Sequence, residues 1–376
     1  MGRLLPALLG TLLVPLSIAC SEDQKAPFYN AGEDSGDDER DGGSSSGNGN
    51  RTGIDMDEPG EPDQDFVSEW ATIEDEPQIC SGWGHSCGIR KDGTIQCWGQ
   101  NDNGQREPPE GEFVKLGCAD RGACAIDSDG RITCWGGNVL GEGDAPGGDG
   151  YKEVDCGEVH CCAINADDEL ECWGAGGPEE ELIAPDVGQA TPPPGQYRGL
   201  SAGKAHNCAI DLDNDQAVCW GGASGTFECF PPTGVDCGQT DAPPGVTYRE
   251  LAAGWLHTCG VTTSGRLQCW GQGTGDGNCA PTSGSLAYDC GQATTLMGPV
   301  RRASAGDFHT CYIDDDFEIQ CQGWETAGVG DEPSGEFAQI ASGIEHNCTI
   351  RRNGTIHCWG NDTIGETDPP NDYPGD

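Results

Sequence analysis

The sequence predicts an all-β protein folded as a closed ring of seven blades. Three observations carry that prediction. One phrase recurs seven times, its cysteines keep a nearly fixed spacing, and turn-forming residues fall in the same slot of most copies. The phrase reads Gly-x-x-His-x-Cys-x-Ile, a turn, then Ile-x-Cys-Trp-Gly. Its last copy has Gly343, His346, Cys348, Ile350, the turn at Asn353-Gly354, Ile356, Cys358, Trp359 and Gly360. A repeated hairpin cannot bury its own apolar face, so the copies must stack on one another.

Spacing within the phrase predicts register. The first cysteines are Cys87, Cys124, Cys162, Cys208, Cys259, Cys311 and Cys348; the second are Cys97, Cys134, Cys172, Cys219, Cys269, Cys321 and Cys358. The separation is ten residues in six copies and eleven in the fourth. Antiparallel pairing of Cys87 with Cys97 also pairs Ile89 with Ile95 and leaves Lys91-Asp92-Gly93 as a three-residue loop. A type I turn closed by a left-handed glycine fits that loop. Ser128-Asp129-Gly130, Thr263-Ser264-Gly265 and Arg352-Asn353-Gly354 fill the same slot, and Asp168 tolerates it, whereas Phe317 predicts a differently shaped sixth turn. Opposed cysteines on one strand face can be bridged. Seven hairpin disulfides are therefore expected, each contributing roughly 2.5–3 kcal/mol in the loop-entropy account.

Strand-like phrases precede the hairpins, among them Phe113-Val114-Lys115-Leu116, Tyr197 to Leu200 and Phe337 to Ile340. Gly-Gln or Gly-Glu turns follow them: Gly104-Gln105, Gly188-Gln189, Gly238-Gln239 and Gly365-Glu366. With the Gly-x-x-His, the Asp-Gly turn and the Trp-Gly, this arrangement resembles the repeat of the regulator of chromosome condensation (RCC1) family. The resemblance covers residues 77–376 and implies a seven-bladed β-propeller. The paired cysteines depart from the nuclear members and suit an exported bacterial branch. Pro77-Gln78-Ile79, ahead of the first hairpin, is expected to complete the last blade and so close the ring.

The cell address is read from the N-terminus. Arg3 precedes an apolar run from Leu4 to Leu16, then Ser17-Ile18-Ala19-Cys20, which predicts a lipoprotein signal peptide over residues 1–19 and lipidation at Cys20. Ser17 stands where a lipobox prefers Leu. Removing Cys20 from the 23 cysteines leaves an even number for pairing, as an oxidising compartment requires. Residues 20–76 form an acidic Gly/Ser-rich tether, with Gly/Ser/Asn alone over 42–50 and too little apolar surface to fold. No second apolar run is long enough to span a bilayer, so membrane contact is expected through the lipid anchor alone, at the bacterial outer membrane or cell surface. A formal net charge of −45 excludes nucleic acid as a direct partner and favours a basic one.

Function is expected to be binding, by a monomer. Three copies carry insertions, at residues 175–187, 222–237 and 272–290. The last two hold extra cysteine pairs, Cys229 with Cys237 and Cys279 with Cys290, which are expected to form two further disulfides. Neighbouring insertions should emerge on one face, with Phe227, Phe230, Trp255, Tyr288 and Leu296 as anchors for a protein or glycan partner. Cys80, Cys118, Cys156 and Cys161 allow three connectivities. Six histidines share one slot (His85, His160, His206, His257, His309 and His346), which reads as one structural hydrogen bond per blade rather than a metal ring. Acidic runs such as Asp211 to Asp215 lie in the turn slot and lack the pattern of a calcium loop. No nucleophile–base pair and no phosphate loop stands out, so no catalytic residues, cofactor or metal are expected. Alternatives remain: a secreted inhibitor similar in fold to the propeller β-lactamase inhibitor, a nucleotide-exchange factor as in nuclear members of the family, and a propeller lyase or hydrolase.

Overall fold

The computed structural model describes residues 79–175, 187–222, 238–273, 291–324 and 328–370. The expected signal peptide, Cys20, the tether and most of each insertion, with Phe227, Phe230 and Tyr288, lie outside the described residues. So do Cys229, Cys237, Cys279 and Cys290, and the structure therefore describes neither the bridge expected between Cys229 and Cys237 nor that between Cys279 and Cys290. No helix among the described residues is long and apolar enough to cross a membrane.

Each copy of the phrase builds one antiparallel unit of inner, middle and outer strand. The inner strands of blades 1 to 7 are Ile79–Ser81, Phe113–Cys118, Glu153–Cys156, Tyr197–Ala202, Tyr248–Ala253, Leu296–Ala305 and Phe337–Ser342. They contact one another in succession, and the last contacts the first. The hairpin register is that of the cysteine spacing: Cys87 lies opposite Cys97 and Ile89 opposite Ile95, and the other blades repeat this. Disulfides join Cys87–Cys97, Cys124–Cys134, Cys162–Cys172, Cys208–Cys219, Cys259–Cys269, Cys311–Cys321 and Cys348–Cys358. Of the three connectivities left open, the structure has Cys80–Cys118, which ties blade 1 to blade 2, and Cys156–Cys161 within blade 3.

No blade owns a core. The two-residue strand period turns Ile89, Ile126, Ile164, Ile210, Val261, Ile313 and Ile350 to one side of their hairpins, where each is at most 2% exposed. Each packs on the inner strand of the following blade. Ile126 meets Tyr151 and Val154, Ile210 meets Tyr248 and Leu251, and Ile313 meets Phe337. Ile350 of blade 7 meets Ile79 and Trp98 of blade 1. Full burial of one such side chain is worth about 1.5–3 kcal/mol, so the ring is stable only as a whole.

Polar groups repeat the blade-to-blade logic. The outer-strand tryptophan donates its Nε1–H to the carbonyl of the Gly-Gln or Gly-Glu phrase of the preceding copy: Trp135 to Gln105, Trp173 to Glu142, Trp220 to Gln189 and Trp270 to Gln239, at 2.8–3.1 Å. Gln322 replaces tryptophan in blade 6, and its amide takes over by donating to the Gln292 carbonyl at 3.1 Å. The histidines do the same deeper in. His206 Nε2 meets Thr258 Oγ1 and His257 Nε2 meets Thr310 Oγ1, both at 2.8 Å. Those hydroxyls donate onward to the Gln239 and Gln292 carbonyls, so each imidazole must carry its proton on Nε2. Burial holds His85, His160 and His309 down at about 4 and His206, His257 and His346 at about 3.

Two expectations are corrected. Ile79–Ser81 does not complete blade 7; it pairs inside blade 1, with Cys80 opposite Cys87, because blade 7 has its own inner strand. Closure falls instead to the C-terminal Gly365-Glu366 phrase, whose Glu366 carbonyl accepts from Trp98 at 3.1 Å. The sixth hairpin turn is not differently shaped. Phe317 takes the left-handed slot at φ 64°, as glycine does elsewhere, and its N–H bonds the Asp314 carbonyl. The strain of about 1 kcal/mol is offset by the Arg301 and Arg352 guanidiniums, 4.1 and 4.2 Å from the ring.

The glycine of Gly-x-x-His is set by the histidine it precedes. A Cβ on Gly254 would lie 2.6 Å from His257 Cε1 and 2.5 Å from the Gly306 carbonyl oxygen. Only blade 2 has alanine there, Ala119, and only blade 2 lacks the histidine, with Gly122 in its place. Gly254→Ala should therefore cost about 1–3 kcal/mol by overpacking, read as a lower chemical-denaturation midpoint. An unchanged midpoint would show that the imidazole can move aside.

Candidate functional site

The two faces of the ring are built from different connections. Hairpin turns form the turn face, where each bonds the start of the next inner strand, as Phe113 N–H does to the Gly93 carbonyl. Gly-x-x-His loops form the other face, here called the loop face. The residue after each Trp-Gly bonds these loops, as Gln100 N–H does to Gly84, Ala175 to Val159, Gly222 to Ala205 and Gln272 to Leu256. The three insertions therefore leave on the loop face, from blades 3, 4 and 5.

A central cavity of about 470 Å³ runs inside the inner strands. Toward the turn face its wall carries Lys115, Glu153, Glu250, Arg302 and Gln339. Side chains here satisfy the backbone edge of the next blade. Glu153 accepts from Gly199 and Leu200 N–H at 3.1 and 2.8 Å, Asp155 from Ala202 at 2.8 Å, and Glu250 from Ala303 at 3.0 Å. Arg302 lies 3.5 Å from Glu250. An exposed strand edge is thus closed by carboxylates rather than by another strand.

At the loop face the cavity wall carries Asp120, Glu158, Lys204, Asp307 and Ile344, each following a loop glycine or its Ala119 equivalent, and Trp83 and Trp255 hold the same slot on the rim outside that wall. Backbone bonds tie parts of this rim together, from Trp83 N–H to Asp120, Asp120 N–H to Gly157, Glu158 N–H to Lys204 and Lys204 N–H to Gly254. Lys204 reaches across the opening. Its Nζ lies 3.4 Å from Asp307 Oδ2, 4.0 Å from Asp120 Oδ2 and 4.8 Å from the Trp255 ring centroid. Burial pulls its ammonium down, but Asp307, Asp120 and Glu158 more than reverse this and hold it above the usual lysine range. One ammonium does not balance three carboxylates. Burial raises Asp120 to about 7, with Lys204 opposing and Asp307 and Glu158 adding to the rise.

The structure separates the expected partner anchors. Trp255 stands on the rim, edge-on to Phe308 at 5.0 Å, and Phe308 in turn meets Trp324 at 5.5 Å. Leu296 is no anchor on that face: it pairs with Leu267 at the turn-face end of blade 5 and packs on the core with Val300. Trp83 was overlooked, yet it is 46% exposed on the rim, with Arg121 over its ring at 5.4 Å. Its signal was its slot, since it stands one residue after a loop glycine as Trp255 does. Exposed Val139 and Ile364 extend the apolar part of this face.

Acidic residues line both faces: Asp92, Asp127, Asp129, Asp167, Asp168, Asp211, Asp213, Asp215 and Asp314 to Asp316 lie on the hairpin turns, where basic residues also gather. Arg90, Lys91, Arg131, Arg266, Arg351 and Arg352 sit on or beside hairpin turns, Lys152, Arg198 and Arg249 lie near the starts of inner strands, and Arg301 lies within Leu296–Ala305. Several pair locally with acids of the turns, such as Lys152 with Asp168 at 2.5 Å and Arg198 with Asp215 at 2.6 Å. The loop-face rim has Lys204 and the neighbouring Arg121 against Asp120, Glu158, Asp307 and Glu345.

The Regulator of chromosome condensation (RCC1) repeat matches residues 78–105, 248–277 and 337–365, in blades 1, 5 and 7. In fold the chain is similar to the CRINKLY WD40 ectodomain of the Arabidopsis thaliana receptor kinase ACR4, at 22% identity over 78% of this chain and 97% of that one, with a TM-score of 0.58. It is similar to the ectodomain of the Physcomitrella patens receptor kinase CR4, at 22% identity over 77% and 73% of the two chains, with a TM-score of 0.56. It is also similar to Saccharomyces cerevisiae Prp20p, at 16% identity over 71% and 80%, with a TM-score of 0.53. An all-β ring whose blades share their cores and repeat the Gly-x-x-His and Trp-Gly hydrogen bonds is thus a β-propeller, three of whose blades match the RCC1 repeat.

Proposed function

We propose that this protein is a non-enzymatic binding module of the bacterial cell envelope, tethered through a lipid at Cys20, which captures a basic protein through the loop face. The observation that carries the reading is the charge of that face. The insertions at 175–187, 222–237 and 272–290 contain eight Asp and Glu and no Lys or Arg, counted as Glu179, Glu180, Glu181, Asp186, Glu228, Asp236, Asp276 and Asp289. They leave beside a rim that is itself acidic and carries Trp83 and Trp255. Carboxylates around exposed Trp83 and half-buried Trp255 suit a partner rich in Lys and Arg, with aromatic anchors and cation–π contacts adding to the charge. The many disulfides fit an oxidising compartment.

The test is capture by the full chain of a basic protein from the extracellular milieu, followed at rising ionic strength. Binding should weaken steeply with salt, because exposed charges are screened beyond about 8 Å at physiological ionic strength. Shortening 222–237 and 272–290 to the length of the first copy should abolish capture while circular dichroism and the melting midpoint stay unchanged. Salt-independent capture, or capture that survives the shortening, would place the partner on another surface. Cys20→Ser should move the mature protein from membrane to soluble fractions; a wild type already soluble after export removes the tether.

A further inference from the structure

The repeat fails at one seam, between blades 1 and 2, and unused chemistry collects there. Five of the six repeat histidines give Nε2 to a side chain of the next blade: Asn207, Thr258, Thr310, Asn347 and, across the closure, Ser86. His85 has Ala123 in that position. Its imidazole is fully buried, and neither ring nitrogen makes a well-formed hydrogen bond. Burial holds the imidazole neutral, and the Gly122 backbone partly opposes this. An unsatisfied buried polar side chain costs about 1–3 kcal/mol, so its presence asks for an explanation. Beside it lie two sulfurs: a His85 ring nitrogen, Cys87 Sγ and Cys118 Sγ are all within 4.8 Å of one another. Cys87 is 0% and Cys118 7% exposed. Both sulfurs are bonded here, Cys87 to Cys97 and Cys118 to Cys80, and the second bond is the one that links the two blades.

We infer that this seam is a redox-gated metal site, in which His85, Cys87 and Cys118 hold a zinc-class divalent ion once their two disulfides are opened. A dithiol reductant gives each disulfide two electrons and two protons and leaves as its own cyclic disulfide. Cys80, Cys87, Cys97 and Cys118 are then thiols. The ion takes Cys87 and Cys118 as thiolates, releasing their two protons to solvent. It takes His85 as neutral imidazole, the form that burial already enforces. The fourth position falls to water or to Cys80, whose Cα is 5.5 Å from that of Cys118. Tetrahedral bonds of about 2.3 Å to sulfur and 2.0–2.1 Å to nitrogen put ligand atoms about 3.5–3.8 Å apart, so the group need close by only about 1 Å. Two thiolates and an imidazole favour zinc over calcium or magnesium. The other five repeat histidines are committed to their neighbours, and the second close cluster among the described residues, Cys124, Cys156 and Cys161, has no imidazole, so a mixed His/Cys site falls at this seam. The inference is independent of the partner-binding reading.

The experiment uses the full chain carrying Cys80→Ser and Cys97→Ser, which frees Cys87 and Cys118 and leaves the remaining disulfides intact. Anaerobic titration with cobalt(II) should give thiolate-to-cobalt charge-transfer bands and the intense visible bands of a tetrahedral site, saturating at one equivalent and bleached by zinc. Adding His85→Ala should weaken cobalt binding by at least about tenfold, since even loss of a partner outside the ligand shell costs 10- to 100-fold. A folded variant without those bands, or bands indifferent to His85→Ala, overturns the site. A second measurement keeps the wild type in view should the variant fold poorly. The wild-type chain is reduced with a dithiol, with or without zinc, and then alkylated and mapped. Zinc should shield Cys87 and Cys118 while Cys208 and Cys219 react equally in both samples. Equal alkylation of Cys87 and Cys118 with and without zinc also overturns it.

Discussion

Acidification from pH 6.5 to 4 should lower the melting midpoint steeply, and buried histidines should be the cause. Six imidazoles are held at about 3 to 4 by burial, against an unfolded value of about 6.5. Between those values the unfolded chain binds six protons that the folded ring refuses, so stability falls as pH falls through the window. Buried carboxylates act in the opposite sense. Asp120 and Asp155 are raised to about 7, and Glu250 and Asp307 are raised as well, all chiefly by burial. Their contribution is fully present below the ordinary carboxylate range and fades as pH rises toward 7. Six protons refused against at most four retained leaves a net of two, worth about 2.7 kcal/mol per pH unit. Thermal melts at pH 6.5, 5.5 and 4.5 check this. His257→Gln, which still offers an N–H to Thr310, should flatten the slope by about 1.4 kcal/mol per unit. A midpoint that holds steady or rises toward pH 4.5 would mean that the carboxylates outweigh the imidazoles.

That balance shows what one chain of residues reveals and what it hides. The hairpin register was legible because it depends on a local count: ten residues between cysteines, a two-residue period and a turn of three. The histidine slot was legible as structural because it recurs in six of the seven blades. Features that depend on the neighbouring blade were not legible. Cys80 could pair with Cys118, Cys156 or Cys161 as far as spacing goes, and only the ring places Cys118 across the seam. Leu296 looked like a loop anchor, but its strand starts early and carries it onto the blade 5 edge. Phe317 seemed unfit for a left-handed turn, because the two arginines that cover its ring come from distant stretches of sequence. The acidic rim around Lys204 joins residues from blades 2, 3, 4 and 6, a set no sequence window contains.

Closure gives the second large effect. Removing residues 361–376 should open the ring, although every strand of all seven blades is retained. Blade 1 obtains from the C-terminal phrase what each other blade obtains from its predecessor. The Glu366 carbonyl accepts from Trp98, and the Glu366 side chain, 5% exposed, accepts from Ile364 N–H at 2.7 Å. Without that phrase the Trp98 N–H loses its Glu366 acceptor and the core shared by Ile350, Ile79 and Trp98 is opened to water. Trp98→Phe alone should cost about 1–3 kcal/mol, the price of one lost hydrogen bond with a stranded buried carbonyl. Truncation should cost more, because it uncovers a seam that every blade depends on for cooperativity. The decisive comparison is a permuted chain in which residues 361–370 are moved ahead of residue 79 through a short linker. It should regain most of the lost midpoint, since the phrase caps blade 1 from either chain end. A truncated chain as stable as the intact one, or a permuted chain no better than the truncated one, would mean that the contacts between Phe337–Ser342 and Ile79–Ser81 close the ring without it.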